Sequence, residues 1–79
     1  MRTEINKYIV ADDEICGGTP TFKGTRVMVW QIIELLSTGI TIEEILTRYF
    51  PQITKEAILS ALNYASGIIE GESYVTFQE

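Results

Sequence analysis

Residues 24–70, GTRVMVWQIIELLSTGITIEEILTRYFPQITKEAILSALNYASGIIE, decide the fold, because they contain three helical periodicities separated by two capped turns. The clearest signal is Gly39-Ile40-Thr41-Ile42-Glu43-Glu44-Ile45. A glycine suited to a left-handed C′ position is followed there by a Thr-x-x-Glu capping box. Thr41 is placed to accept from the amide of Glu44, Glu44 to reach back to the amide of Thr41, and Ile40 to staple onto Ile45. Pro51-Gln52-Ile53-Thr54 repeats the device: the proline ends a helix, Thr54 caps the next one, and Ile53 faces Ile58. Three helices with two short joints form a helix-turn-helix type of unit.

The hydrophobic spacing sets the extent of each helix. Helix one is predicted from about Val29 to Thr38, with Val29, Ile32, Ile33 and Leu36 as its buried stripe and Trp30 and Leu35 widening it. Helix two, about Ile42 to Phe50, repeats the spacing with Ile42, Ile45, Leu46 and Tyr49. On helix three, residues Ala57, Ile58, Ala61, Leu62, Tyr64, Ala65, Ile68 and Ile69 fall on one side at about 100° per residue. Lys55, Glu56, Ser60, Asn63, Ser66, Gly67 and Glu70 fall on the other, and only Leu59 breaks the partition. Gly71 is the expected stop.

Outward from this core, the N-terminal 28 residues read as a small β-ribbon. Tyr8-Ile9-Val10, Ile15-Cys16 and Arg26 to Val29 are β-prone, and Asp12-Asp13, Gly17 to Pro20 and Lys23-Gly24-Thr25 are turn-forming. Such a ribbon is marginal alone, so it packs on the helices or pairs with another chain. At the other end, Ser73 to Phe77 is β-prone, which allows either a short C-terminal strand or a frayed terminus. The expected organisation is one domain over residues 1–79: a β-ribbon lead-in (1–28), a three-helix bundle (29–70) and a tail (71–79).

Bulk properties narrow the function classes. A chain of 79 residues buries only a modest share of its unfolded surface, so self-association as a homodimer is expected. With 46% apolar and 22% charged residues the composition is globular. No apolar run reaches the ~20 residues that span a bilayer and no signal-peptide core follows the start, so the expected location is cytoplasmic, with no membrane partner. The net charge is −5. Residues 1–28 balance Arg2, Lys7, Lys23 and Arg26 against Glu4, Asp12, Asp13 and Glu14; the acidity comes from the helices and the tail. No segment is basic, which opposes strong phosphate binding by a single copy.

Catalytic and ligand chemistry finds little support. Cys16 is the single cysteine and the chain has no histidine, so a thiolate nucleophile has no base. Gly18-x-x-x-x-Lys23-Gly24-Thr25 has the wrong order for a phosphate-binding loop and is not followed by a helix. Asp12-Asp13 and Glu43-Glu44 are adjacent carboxylates of the solvated kind. The expectation is a protein that is not an enzyme, with no metal, no cofactor and no small-molecule substrate. Lys23, Thr25 and Arg26 in the ribbon offer a second, basic site, where an ion pair of Arg26 with a carboxylate such as Asp13 or Glu14, or with a symmetry mate, is expected over a nucleic-acid contact.

Binding surfaces are more promising. In a helix-turn-helix the second helix enters the major groove through its N-terminal part. Lys55, Ser60 and Asn63 share one arc of helix three; asparagine suits adenine and lysine suits guanine or phosphate. Gln52 and Arg48 are placed to anchor phosphates beside them. The competing reading is an ordinary solvated face, with Glu56 and Glu70 repelling DNA. Leu59, with Tyr74, Val75 and Phe77, is the candidate protein-binding surface; the alternative is that the tail completes the core.

From Tyr8 through Ala65 the chain resembles the family catalogued as domain of unknown function four hundred and thirty-three. The residues that carry the likeness include Asp12, Ile15-Cys16-Gly17-Gly18-Thr19-Pro20, Lys23-Gly24-Thr25-Arg26-Val27, Glu34-Leu35-Leu36, Gly39, Ile42-Glu43-Glu44-Ile45-Leu46, Tyr49, Pro51, Ile53-Thr54 and Ala57. The resemblance implies a mainly α, homeodomain-like three-helix helix-turn-helix behind a short N-terminal β-ribbon, in a small prokaryotic protein. It also implies an antitoxin-like role in a type II toxin–antitoxin pair, with a PIN-like toxin as partner and double-stranded promoter DNA as a second target. The rival is a protein-interaction module in which the helix-turn-helix is only a scaffold. Three positions depart from the family pattern: Asp13 and Met28 stand where proline is usual, and Trp30 where a small polar residue is common.

Overall fold

The computed structural model describes the backbone of residues 1–77 and the side chains of residues 1–70. Three strands, β1 (Arg2–Glu4), β2 (Ile9–Asp12) and β3 (Thr21–Phe22), form an antiparallel sheet in the order β1-β2-β3. Three helices follow. The first is α1 (Val29–Ser37); the second, α2, opens as one α-helical turn (Ile42–Glu44) and continues as a π-helical segment (Ile45–Tyr49); the third is α3 (Lys55–Phe77).

The sheet differs from the predicted ribbon at three places. Its edge strand β1 was not expected, because Arg2-Thr3-Glu4 is exposed and polar throughout; it pairs with β2 in register, with Arg2 opposite Asp12 and Glu4 opposite Val10. Ile15-Cys16 does not continue as a strand: Cys16, Gly17 and Gly18 take φ values of 51°, 65° and 89°, a left-handed run that reverses the chain. Arg26 to Val29 contributes only a single bridge, Met28 opposite Thr21, before Val29 donates its N–H to Pro20 O at 2.9 Å and the helix begins.

Both helix joints form as their residues dictate. Gly39 has φ 98°, and the amides of Gly39 and Ile40 return to Leu36 O and Leu35 O at 3.1 and 3.2 Å, the paired bonds of a Schellman ending. Glu44 N–H donates to Thr41 Oγ1 at 3.1 Å and Thr41 N–H to Glu44 Oε1 at 3.1 Å, completing the capping box. Ala57 N–H donates to Thr54 Oγ1 at 3.2 Å at the head of α3. One cap was not foreseen: Gln31 Oε1 accepts from Met28 N at 2.9 Å and holds the start of α1.

The core joins one face of the sheet to the inner faces of all three helices. Ile9 and Phe22, paired across β2 and β3, pack with Val27, Val29, Ile32, Ile45, Ile53, Ala57, Ile58 and Ala61. Ala57 and Ala61 are small enough for α3 to lie close to its neighbours. Thr21 is buried and donates its hydroxyl to Val10 O at 3.4 Å. In the first two helices, two residues expected in the buried stripes are outside. Trp30 is 49% exposed, because it lies about 100° around the helix from Val29, on the flank of the stripe. Tyr49 is 45% exposed, because α2 closes with an i→i−5 bond, Phe50 N to Ile45 O at 2.7 Å. Those wider turns advance less per residue than the α-helical spacing assumes, so Tyr49 shifts from the middle of the predicted stripe to its edge.

The C-terminal strand is also overturned. The backbone of α3 passes through Gly71 without leaving the helix and continues to Phe77, so the helix has 23 residues and is about 34 Å long. Glycine permits a helix stop by taking the left-handed conformation at C′ but does not impose one, and here the helix continues. Tyr74, Val75 and Phe77 therefore stand on a helix rather than a strand; their side chains lie outside the described residues.

Candidate nucleic-acid interface

The α2–turn–α3 unit places the head of α3 at the surface. Thr54 caps it, Ile53 and Ile58 lock it to the core, and Ile53 N–H donates to Phe50 O at 3.1 Å to fix the turn. Of the residues singled out for DNA, Arg48, Gln52, Lys55 and Asn63 are exposed, and Ser60 is half-buried on the flank of the arc. The centre of the exposed arc is Lys55, Leu59 and Asn63, which follow one another at four-residue intervals and so form a single row along α3.

This row merges two surfaces that the sequence reading kept apart. Leu59, expected to bind protein, is 48% exposed and stands between Lys55 and Asn63, expected to bind DNA. An apolar side chain in that position suits a thymine methyl group or an apolar patch on a protein equally well. Glu56 flanks the row and Glu70 continues it, so the arc has one lysine against two carboxylates.

The sheet supplies cations that the residue-by-residue charge count does not bring to this end. Pairing of Ile9 with Phe22 sets Tyr8 beside Lys23, whose N–H donates to Tyr8 O at 2.9 Å. As a result Lys7, Lys23, Gln52 and Thr54 line one cavity of about 190 Å³ at the head of α3. Lys23 Nζ is 3.2 Å from Glu4 Oε1, and Lys7 Nζ sits 5.5 Å from the Tyr8 ring centroid. Lys23, and secondarily Arg2, hold the Glu4 carboxyl below its ordinary value of 4.5. Lys7 was missed as a surface residue; it lies in the bend before β2, whose register the sequence alone does not specify. Arg26 is exposed and makes no ion pair with Asp13 or Glu14, since Asp13 accepts instead from the Met1 amino group.

Elsewhere the chemistry is sparse. Cys16 Sγ lies 3.6 Å from Arg26 O, a weak donor contact within the left-handed turn. Among the described residues no three His, Cys, Asp or Glu side chains lie close enough to hold a metal ion, and no helix is long and apolar enough to cross a membrane.

Comparison with known proteins places this arrangement. Residues 9–65 match the family described as "Protein of unknown function (DUF433)". No curated protein and no solved structure matches the chain. The matched span runs from the start of β2 into α3 and so includes both capped joints and the exposed row on α3. The chain belongs to the DUF433 family.

Proposed function

We propose that this member of the DUF433 family is a non-enzymatic, antitoxin-like regulator that binds double-stranded DNA at its own promoter through α3 and binds a PIN-like toxin. The observation that carries the DNA reading is the head of α3: a doubly anchored helix end presents Lys55, Leu59 and Asn63 in one row, with Gln52, Lys7 and Lys23 around its first turn. Amides at a helix N-terminus together with lysines meet phosphates, while Asn63 and Lys55 reach base edges. A homodimer brings two such helices about one turn of DNA apart and compensates for the low charge of each copy. The toxin partner rests on the family resemblance.

A second reading has its own support. The net charge of −5 and the position of Leu59 in the middle of the row favour a protein-interaction module that uses the helix-turn-helix as a scaffold. Fluorescence anisotropy separates the two, with the chain's own upstream DNA and a scrambled control, at ~50 and ~200 mM salt, where phosphate contacts lose affinity steeply. Selective, salt-sensitive binding is expected, abolished by Lys55→Glu with Asn63→Ala. Lys7→Gln should weaken binding to all sequences and lower the salt slope by about one. Equal weak binding to both DNAs overturns the DNA reading and leaves the interaction module.

A further inference from the structure

Trp30 is half exposed on α1 and has no role in the α3 surface. It stands one helical turn from Glu34 on α1, and both line an open cavity of about 230 Å³ with Gln31, Leu35, Tyr49 and Phe50. The cavity lies between α1 and the π-helical end of α2, with Trp30 and Tyr49 each about half exposed at it. Two of its neutral polar groups are engaged: the indole N–H donates to Met28 Sδ at 3.3 Å, and Gln31 Oε1 accepts from Met28 N. Glu34 makes no ion pair among the described residues.

Three aromatic rings with negative faces and an unpaired carboxylate define the complement of this notch as a cation. Its size favours a single side chain, since small-molecule sites occupy ~300–1,000 Å³. Exposed Trp and Tyr around a depression are the residues that carry protein–protein binding energy, and a chain of net charge −5 favours a basic partner. Arginine fits better than lysine, because its planar guanidinium stacks on an indole while its N–H fork meets a carboxylate.

We propose that the notch formed by Trp30, Glu34, Tyr49 and Phe50 is a docking site for an arginine side chain of a basic partner protein. It shares no residue with the α3 row, so it stands whether or not α3 meets DNA.

Trp30 is the only tryptophan, so its emission reports on the notch directly. The full chain is titrated with the blocked pentapeptide Gly-Gly-Arg-Gly-Gly and with the same peptide bearing citrulline or norleucine in place of arginine. Arginine should give a saturable change with an affinity on the order of millimolar, as a single cation–π and carboxylate contact allows. Citrulline should bind about tenfold more weakly, and Glu34→Gln and Tyr49→Leu should each weaken the arginine peptide severalfold with the far-ultraviolet circular dichroism unchanged. Equal binding of citrulline shows that charge is not read and overturns the proposal. Stronger binding of norleucine assigns the notch to an apolar partner residue instead, and a linear, unsaturable response shows that there is no site.

Discussion

The two halves of α3 carry the same amphipathic pattern and meet different fates. In the first half Ala57, Ile58 and Ala61 are buried against α1, the sheet and Ile53; in the second, Ile68 and Ile69 stand 46% and 60% exposed on a continuation of the same stripe. Helix α1 has only nine residues, about 14 Å, and cannot cover a helix more than twice as long. Periodicity thus reports which side of a helix is apolar, while the length of its neighbours decides how much of that side is covered. The exposed part opens on a shallow groove lined by Ile33, Leu62, Ala65 and Ile69.

The sharpest way to break this comparison is to truncate one residue in each half. Ile58→Ala removes a fully buried side chain and should cost about 2–5 kcal/mol in urea denaturation. Ile69→Ala, in a monomer, should stay within about 0.5 kcal/mol. A loss above ~1 kcal/mol at Ile69 would mean that the second half is covered in solution, and a concentration-dependent transition would identify the cover as another copy. Next in size is the cap: Thr54→Ala should cost about 1 kcal/mol and loosen the half that packs. If the second half contributed equally to holding α3, that loss would shrink.

The smallest effect concerns the joint before α2. The Thr41 N–H, and then the Thr41 hydroxyl, hold the Glu44 carboxyl below its ordinary value of 4.5. A depressed carboxylate contributes stability that is complete above the unfolded value and is lost as pH falls through the folded one. Acid titration of stability should therefore show a shallow decline below pH 4.5 that Glu44→Gln reduces. The decline is shallow because the group is exposed to solvent. An unchanged profile in the variant would assign the acid sensitivity to Glu4, whose carboxyl Lys23 depresses in the same direction.

What was legible in the sequence was local. Gly39, Thr41, Glu44, Pro51 and Thr54 act on backbone groups within four residues, so their types and spacing contain the whole instruction, and α1 and both joints lie where they indicate. What was not legible was relational. β1 has no apolar pattern because its pairing is made by backbone atoms. Lys7 reaches the head of α3 only through a strand register. Leu59 was read as an exception to a polar face, although the interval from Lys55 to Leu59 to Asn63 makes it that face's centre. The candidate DNA residues could be named from spacing; their merger with an apolar contact could not.

The π-helical segment of α2 has a consequence for how this chain can vary. Ile45–Tyr49 holds one more residue per hydrogen-bonded loop than an α-helix does, so the aromatic notch depends on the number of residues in α2 as well as on their kinds. Deleting Thr47, which is exposed, would let the segment close as an ordinary helix and place the tyrosine about 120° round the axis from Ile42, farther from the buried stripe. No substitution would be needed. An insertion or deletion of one codon could therefore open or shut this face, and relatives that keep Trp30, Tyr49 and Phe50 but differ in α2 length should differ in whether they have it.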